Sequence, residues 1–256
     1  MKIQHIIFIE QGIASDYSRS SEVILIYIKK GESSMNNVRT SKLFDLSHTA
    51  AAEYLSRFDY PWEALDGIKG MIVAYGQRLD PEEYEEKEPQ VWVSRSAYVA
   101  PSALIKPPTV IGARSEIRHC AYIRGGVLIG EDCVVGNSTE LKNCILFDRV
   151  QVPHYNYVGD SILGYRAHMG AGAVTSNVRS DRAPVIIRDG SGEEFVTGRK
   201  KVGAMLGDLV EIGCGAVLNP GSVVGRDSIV YPLSSVRGCV PSRSIYKKDG
   251  SVVEKI

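Results

Sequence analysis

The sequence predicts an all-β solenoid, specifically a parallel β-helix, and two observations carry that prediction. Bulky apolar residues recur at every sixth position over one long stretch, at Val93, Val99, Ile105, Ile111, Ile117, Ile123, Ile129, Val135, Leu141 and Phe147. The same spacing returns later in the chain, at Leu206, Ile212, Leu218, Val224, Val230 and Val236. A period of six fits neither a helix nor an isolated strand. It suits a triangular coil of about 18 residues, in which each of three short strands points one large side chain inward.

Glycine follows many of these apolar anchors, at Gly112, Gly130, Gly136, Gly207, Gly213 and Gly225. Because glycine adopts backbone angles that a Cβ atom forbids, we expect these glycines to mark the corners of the coils. The residues two positions before the anchors, such as Ala97, Ala103 and Cys133, are mostly small or apolar. Side chains two positions apart lie on the same face of a strand, so the anchors and these small or apolar residues would both point inward.

Repeats of this kind resemble the hexapeptide-repeat acyltransferases. The resemblance implies a left-handed parallel β-helix, which is an exception to the usual right-handed crossover.

The sequence divides the 256 residues into four segments and one insertion. We predict a doubtful extension over 1–34, a helical lead-in and linker over 35–90, the β-helix over 91–240 with an inserted loop at 178–201, and a hairpin cap over 241–256. Within the lead-in, Ser47 is expected to cap a helix through Leu55, and Pro61 to open a second helix toward Leu79. The acidic run from Glu82 to Glu88 reads as a solvated linker.

Two interpretations of residues 1–34 stay open. Their apolar stretches are too short to span a membrane and lack a signal-peptide cleavage site, so a two-stranded hairpin is the simplest structure. Alternatively, Lys29 to Glu32 imply a purine-rich coding stretch resembling a ribosome-binding site, which would make Met35 the true start.

Composition excludes some partners. The chain has 30 basic and 30 acidic residues and a formal net charge of zero. No general field therefore attracts nucleic acid or an anionic membrane, and we expect neither partner. The five cysteines are odd in number and form no metal-type C-x-x-C pair, which predicts free thiols in a reducing, cytoplasmic setting.

The most informative motifs lie between Gly136 and Gly172. They are G-N-S-T-E-L-K-N, V-P-H-Y-N-Y-V-G-D-S-I-L-G and H-M-G-A-G, with Asn177 shortly after. In order and spacing they are similar to the acetyltransferase domain of the bifunctional bacterial glucosamine-1-phosphate N-acetyltransferase and N-acetylglucosamine-1-phosphate uridylyltransferase. The similarity covers roughly residues 91–240.

The resemblance implies that His154 is the catalytic base, and imidazole suits the task of taking a proton from an attacking amine. It also implies that Arg124 and Lys142 bind a sugar phosphate, that Tyr157 contacts the substrate, and that Asn177 orients the amino group. Cations that donate charge-assisted hydrogen bonds are what a phosphate requires.

The acyl donor implied by the resemblance is acetyl-CoA. The backbone amide near Ala171 would hold the thioester carbonyl, as an oxyanion donor should. Cys214 stands where the family has a serine that contacts acetyl-CoA. The family also implies a homotrimer with sites between neighbouring subunits.

Some positions depart from the family pattern. His168 stands in place of an asparagine, and Ala183 in place of a second lysine, which puts the acceptor sugar in doubt. The inserted loop is basic and either is simply solvated or supplies phosphate contacts by another route. No glycine-rich nucleotide loop of a uridylyltransferase is found in the sequence.

The predicted function is therefore acyl transfer from a CoA thioester to an amino-sugar phosphate or nucleotide sugar. One alternative is a regulatory protein that binds a nucleotide sugar without catalysis, because a fold alone does not fix an activity. A less favoured alternative is a zinc enzyme of the carbonic anhydrase type, for which His119, His154 and His168 are the candidate ligands.

Overall fold

Stacked coils of short parallel strands form the body of the protein, in a computed structural model that describes residues 38–189 and 192–256. The proposed hairpin of residues 1–34 and the question of Met35 lie outside these residues. Among the described residues, no helix combines the length and the apolar character needed to cross a membrane.

Short helices precede the solenoid, and short strands build it. The helices are α1 Thr40–Leu43, a 3₁₀ helix Leu46–His48, α2 Ala52–Leu55, a 3₁₀ helix Pro61–Asp66 and α3 Ile68–Gly76. The strands are β1 Tyr84–Glu88, β2 Val91–Ser94, β3 Tyr98–Val99, β4 Leu104–Ile105, β5 Thr109–Ile111, β6 Glu116–Ile117, β7 Tyr122–Ile123, β8 Val127–Ile129, β9 Val134–Asn137, β10 Glu140–Leu146, β11 Gln151–His154, β12 Tyr157–Leu163, β13 His168–Met169, β14 Val174–Thr175, β15 Ile186–Arg188, β16 Glu194–Val196, β17 Ala204–Leu206, β18 Glu211–Ile212, β19 Val217–Leu218, β20 Ser222–Val224, β21 Ile229–Val230, β22 Ser235–Val236, β23 Cys239–Val240, β24 Ser244–Tyr246 and β25 Val252–Glu254.

Each coil pairs with the next through parallel strands. Ile111 of β5, for example, lies opposite Ile129 of β8, which is 18 residues later. The coils build one 14-stranded and one 9-stranded sheet that run along the solenoid. The predicted parallel β-helix is confirmed, whereas its left hand stays a prediction from the family resemblance.

The repeat shortens by one residue in the middle of the solenoid. Ile129 pairs with Leu146, not with the predicted anchor Phe147, and Val135 pairs with Val152. Phe147 is fully buried nonetheless, and its ring packs 5.1 Å from that of Phe44. The prediction of Phe147 as an anchor was therefore wrong in register. The six-residue apolar spacing alone does not reveal this 17-residue coil, because Leu146 and the next residue, Phe147, are both apolar.

The glycines serve close packing between coils more than unusual backbone angles. Gly130 does not have a positive φ, but a Cβ atom added there would lie 2.7 Å from the backbone nitrogen of Asp148 in the next coil. The positive-φ residue of the same corner is Asp132, with φ of 53°. The expectation that these glycines provide the corner angles was thus wrong, because the missing side chain instead lets neighbouring coils approach.

The helical lead-in packs along one face of the solenoid. On the strands of that face, outward-pointing residues such as Leu128, Ile145 and Ile162 alternate with the inward anchors, yet they are as buried as the anchors. Helix α3 lies against β5, β8 and β10 and covers them with its own apolar side. These strands therefore read as continuous apolar runs because both of their faces are covered.

The residue that caps the helix after α1 differs from the prediction. Asp45, not Ser47, caps the 3₁₀ helix, since the Asp45 carboxylate accepts a hydrogen bond from the Ser47 N–H at 3.1 Å. Pro61 does begin a 3₁₀ helix, which ends at Asp66 before α3 starts at Ile68.

One buried carboxylate fastens the lead-in to the solenoid. Asp208 is 1% exposed and accepts the backbone N–H groups of Asp45 at 2.7 Å and Tyr165 at 2.9 Å. The oxygen that accepts from Asp45 also meets the Arg226 guanidinium at 3.0 Å. Burial raises the pKa of Asp208, while the two backbone hydrogen bonds and Arg226 act in the opposite direction.

Three further segments extend the solenoid. The acidic run predicted as a solvated linker instead forms β1, which pairs antiparallel with β2. The insertion after β14 carries the antiparallel pair β15 and β16. At the end of the chain, β25 folds back on β24 in a hairpin.

The glycine contacts predict opposite effects for two identical substitutions. Gly130→Ala forces a Cβ atom against the next coil and is expected to lower the free energy of unfolding by about 1–3 kcal/mol. Gly70→Ala, at the third residue of α3, has no atom within 4 Å of the new Cβ and is expected to raise the free energy of unfolding by about 0.5–1 kcal/mol. Urea unfolding measures both. Equal effects for the two variants would contradict the close-packing role of the corner glycines.

The Asp208 contacts predict a second stability difference. Asp208→Asn replaces one acceptor by an NH₂ group that faces donors, and is expected to cost about 1–3 kcal/mol of unfolding free energy. The control is Asp59→Asn, which removes an ion pair with Arg39 from a side chain that is 74% exposed. Exposed pairs contribute about 0–1 kcal/mol, so the control should change little in the same urea measurement. A control that loses as much as Asp208→Asn would refute the fastening role.

Candidate active site

Three of the predicted residues lie on successive coils along one edge of the solenoid. The His154 carbonyl accepts a hydrogen bond from the Gly172 N–H at 3.0 Å, and the Ala171 carbonyl accepts one from the Gly215 N–H at 2.9 Å. His154, Ala171 and Cys214 therefore occupy equivalent corners, one above the next. We call this row of corners the His154 edge.

The His154 backbone is held while its side chain faces solvent. The residue ends β11, and its N–H donates to the Asn156 Oδ1 at 3.1 Å. Asn156 is itself buried and donates to the carbonyls of Gly170 and Ala173, at 2.9 and 3.0 Å. The His154 ring makes no hydrogen bond or ion pair with any residue that the structure describes. Its nitrogens are thus available to contact a bound molecule.

The acyl-donor candidates on this edge are also accessible. Ala171 and Cys214 are both exposed, and the Ala171 N–H makes no hydrogen bond within 38–189 and 192–256. A Cβ atom added at Gly170 would lie 2.7 Å from the Cys214 nitrogen, so glycine is needed there for the two coils to stack. The edge therefore offers a free backbone donor next to an exposed thiol.

The other four predicted residues lie on the neighbouring face of the solenoid; they are Arg124, Lys142, Tyr157 and Asn177. Arg124 and Lys142 follow the paired residues Ile123 and Leu141, so they occupy the same corner on adjacent coils. The Arg124 N–H donates to the Leu141 carbonyl at 2.8 Å, and the Arg124 guanidinium donates to the Glu140 carboxylate at 2.7 Å. That hydrogen bond raises the pKa of Arg124.

The Asp160 carboxylate lies among the candidate residues Lys142, Tyr157 and Asn177. It accepts hydrogen bonds from the Nδ2 atoms of Asn143 at 2.8 Å and Asn177 at 2.6 Å, and Lys142 Nζ lies 4.0 Å away. Asn177 also donates to the Tyr157 hydroxyl at 3.3 Å. We call Lys142, Tyr157, Asp160 and Asn177 the Asp160 cluster.

Tyr157 lies partly under the surface of this cluster. Burial raises the pKa of Tyr157, and the nearby Asp160 carboxylate raises it further. The hydroxyl therefore stays protonated at neutral pH and is able to donate a hydrogen bond to a bound molecule while accepting one from Asn177.

Sequence patterns did not identify Asp160 and Asn143 as site residues, although both stand inside the motifs quoted above. The signal was present, because a Gly-Asp pair inside an otherwise apolar strand places a carboxylate where burial is costly unless it is paired. Asp160 is 5% exposed and is satisfied by two amide donors.

The three histidines of the zinc alternative do not meet. His119 Nδ1 contacts the Ser102 hydroxyl at 2.7 Å, and His168 Nδ1 contacts the Glu211 carboxylate at 2.8 Å. In the described part of the chain, no group of three or more His, Cys, Asp or Glu side chains is arranged to hold a metal ion. The arrangement required by the zinc alternative is therefore not found there.

Comparison with known families decides the relationship. The model of the GMPPB C-terminal domain matches residues 115–248, which is just over half of the chain. The chain belongs to this family. The matched range contains β6 to β24 and with them both the His154 edge and the Asp160 cluster.

Relatives with similar sequences are much longer proteins. The bifunctional protein GlmU of Methanococcus vannielii is 34% identical over 161 residues, which are 62% of this chain and 32% of that protein. A bifunctional sugar-1-phosphate nucleotidylyltransferase/acetyltransferase of Sulfurisphaera tokodaii is 31% identical over 101 residues, covering 40% of this chain and 24% of that protein. The chain thus spans about a third or less of the relatives it matches, and the predicted resemblance to the bifunctional enzymes is confirmed.

Among solved structures, the acetyltransferase domain of PglB from Neisseria gonorrhoeae, in complex with acetyl coenzyme A, has a TM-score of 0.25 and 16% sequence identity. The match covers 62% of this chain and 55% of that one.

The Asp160 cluster predicts unequal costs for two small substitutions. Asp160→Asn turns an acceptor into a donor facing Asn143 or Asn177, and should lower the free energy of unfolding by about 1–3 kcal/mol. Tyr157→Phe removes only the 3.3 Å hydrogen bond from Asn177 and should cost about 1 kcal/mol or less. Urea unfolding of both variants checks this order, and the reverse order would argue against Asp160 as the centre of the cluster.

Proposed function

We propose that the chain is an acyltransferase that moves an acetyl or related acyl group from a CoA thioester to the amino group of a sugar phosphate or nucleotide sugar. The observation that carries the proposal is the row formed by His154, Ala171 and Cys214 on successive coils of one edge. A proton acceptor and a free backbone donor stand next to each other there, and both are needed when an amine attacks a thioester.

His154 is the general base in this mechanism. The amine of the acceptor attacks the thioester carbonyl carbon, and the imidazole takes the proton that the nitrogen loses. The negative charge that develops on the carbonyl oxygen is stabilised by the Ala171 N–H. When the tetrahedral intermediate collapses, the C–S bond breaks and CoA leaves as the thiolate or thiol.

The Asp160 cluster and the neighbouring Arg124 hold the acceptor. Lys142 and Arg124 bind its phosphate, and the Tyr157 hydroxyl and the Asn177 amide orient the sugar. The Asp160 carboxylate fixes the Asn177 amide through the 2.6 Å hydrogen bond, so the orientation is set before the substrate arrives.

The active assembly in this proposal is a homotrimer, in which the His154 edge of one subunit faces the Asp160 cluster of its neighbour. Large exposed side chains on the edge support an interface there. Tyr155, next to His154, is 64% exposed, and Leu233, whose N–H donates to the Cys214 carbonyl, is 65% exposed. Exposed apolar groups in such a row are typical of contact surfaces. The five unpaired cysteines support a reducing compartment, which we take to be the cytoplasm.

Loss of the base tests the mechanism. His154→Ala should lower turnover of acetyl-CoA by about 10²–10⁴-fold, because that is the usual contribution of a general base. The assay supplies acetyl-CoA with glucosamine 1-phosphate and a panel of other amino sugars, and mass spectrometry detects the acetylated product.

The matched control is His119→Ala. His119 lies on the same edge two coils before His154, its ring contacts the Ser102 hydroxyl, and its loss should leave turnover unchanged. Full activity of His154→Ala would disprove the assignment of the base.

A second candidate function is binding of a nucleotide sugar without transfer. One observation favours it: the Asn177 amide is already engaged by Asp160 and Tyr157, at 2.6 and 3.3 Å. A thermal-shift comparison separates the two functions, because a ligand stabilises a protein in proportion to its binding to the folded state. Stabilisation by both UDP-N-acetylglucosamine and acetyl-CoA supports the transferase. Stabilisation by the sugar nucleotide alone supports the binding protein.

A further inference from the structure

A strongly basic pocket of about 470 Å³ lies beside the Asp160 cluster, between α3, the solenoid face and the end of the insertion. Five cationic side chains line it: Lys69, Lys142, Arg199, Lys200 and Lys201. Only two carboxylates, Asp66 and Asp160, share the pocket. On a chain whose formal net charge is zero, this is a local excess of positive charge.

The two carboxylates leave most of that charge unpaired. Asp66 pairs with the Arg199 guanidinium, and Asp160 is satisfied by amide donors, with Lys142 Nζ at 4.0 Å. Lys69, Lys200 and Lys201 form no ion pair within 38–189 and 192–256. Three ammonium groups around one pocket repel each other unless an anion lies between them.

A second, independent observation concerns Arg199, whose guanidinium has an unpaired hydrogen-bond donor. Its side chain is only 15% exposed, and its Nε atom is buried with no hydrogen-bond partner among the described residues. A buried guanidinium N–H without an acceptor costs free energy, so Arg199 has hydrogen-bonding capacity that the described residues leave unused.

Packing and backbone hydrogen bonds hold the segment of the insertion that carries Arg199, Lys200 and Lys201. The Phe195 ring of the insertion lies 5.2 Å from the Tyr60 ring and 5.8 Å from the Trp62 ring of the lead-in. Lys201 pairs with Val178 in an antiparallel bridge, and the Val202 N–H donates to the Asn177 carbonyl at 3.1 Å. The insertion therefore returns to the solenoid directly beside Asn177 and brings its basic end to the cluster.

We propose that Lys69, Arg199, Lys200 and Lys201 form, together with Lys142, the phosphate-binding pocket for the acceptor. The ligand chemistry is a phosphate ester or diphosphate, since these anions accept several charge-assisted hydrogen bonds at once. Its identity as the acceptor's phosphate rests on the proposed transferase function.

Direct binding to the full chain without acetyl-CoA tests the pocket. Isothermal titration calorimetry with glucosamine 1-phosphate, UDP-N-acetylglucosamine and inorganic pyrophosphate distinguishes a sugar monophosphate from a nucleotide diphosphate as the ligand. We expect at least one of the three to bind, with affinity that falls as salt rises. Lys201→Glu and Lys69→Glu should each weaken that binding at least tenfold, and they change exposed side chains on two different elements.

The matched control is Lys248→Glu, the same charge reversal at an exposed position near the C-terminal hairpin, which should bind like the unaltered chain. Thermal unfolding of each variant confirms that it is folded. Absence of binding for all three ligands, or unchanged binding in both pocket variants, would overturn the proposal.

Acetyl transfer measured on the same samples separates this proposal from the proposed function. Binding that both pocket variants weaken, in a chain without transferase activity, supports the pocket and contradicts the enzyme. Transfer whose kcat and KM are unaffected by Lys201→Glu and Lys69→Glu contradicts the pocket and supports the enzyme.

Discussion

Every coil of the solenoid must return its backbone to hydrogen-bonding distance of the coil before it, and the rest of the structure depends on this constraint. Small residues such as Gly130 allow the coils to approach, and inward anchors such as Ile129 and Leu146 fill the prism. Because stacking fixes equivalent corners above one another, residues far apart in sequence become neighbours. His154 and Cys214 are brought to one edge in this way.

The solenoid alone leaves one face apolar, and the lead-in and the insertion complete the protein. The outward side chains of Leu128 and Ile162 are buried only because α3 and the preceding 3₁₀ helix cover them. The insertion packs its Phe195 against the same lead-in and then returns to the solenoid beside Asn177 of the Asp160 cluster. The lead-in and the insertion, which both lack the six-residue apolar repeat, therefore form one wall of the basic pocket.

Much of the fold followed from spacing, since one large inward side chain per strand is a strong periodic signal. The spacing did not reveal the coil that is one residue shorter, because Leu146 and Phe147 are both apolar and either fits the pattern. The role of Gly130 was misjudged because the residue type at a corner does not reveal the distance to the next coil. The site residues came from motif resemblance, whereas Asp160 required knowing which side chains meet around it.

The most direct test of the central claim is subunit complementation, because the claim is that the His154 edge of one copy works with the Asp160 cluster of the next. His154→Ala and Lys142→Ala chains, each inactive alone, are mixed and allowed to exchange subunits, and native mass spectrometry verifies mixed trimers. We expect acetyl transfer to recover to about a quarter of the unaltered activity, since in a random mixture that share of interfaces unites two intact halves. Mixed trimers that stay as inactive as their parents would contradict the claim.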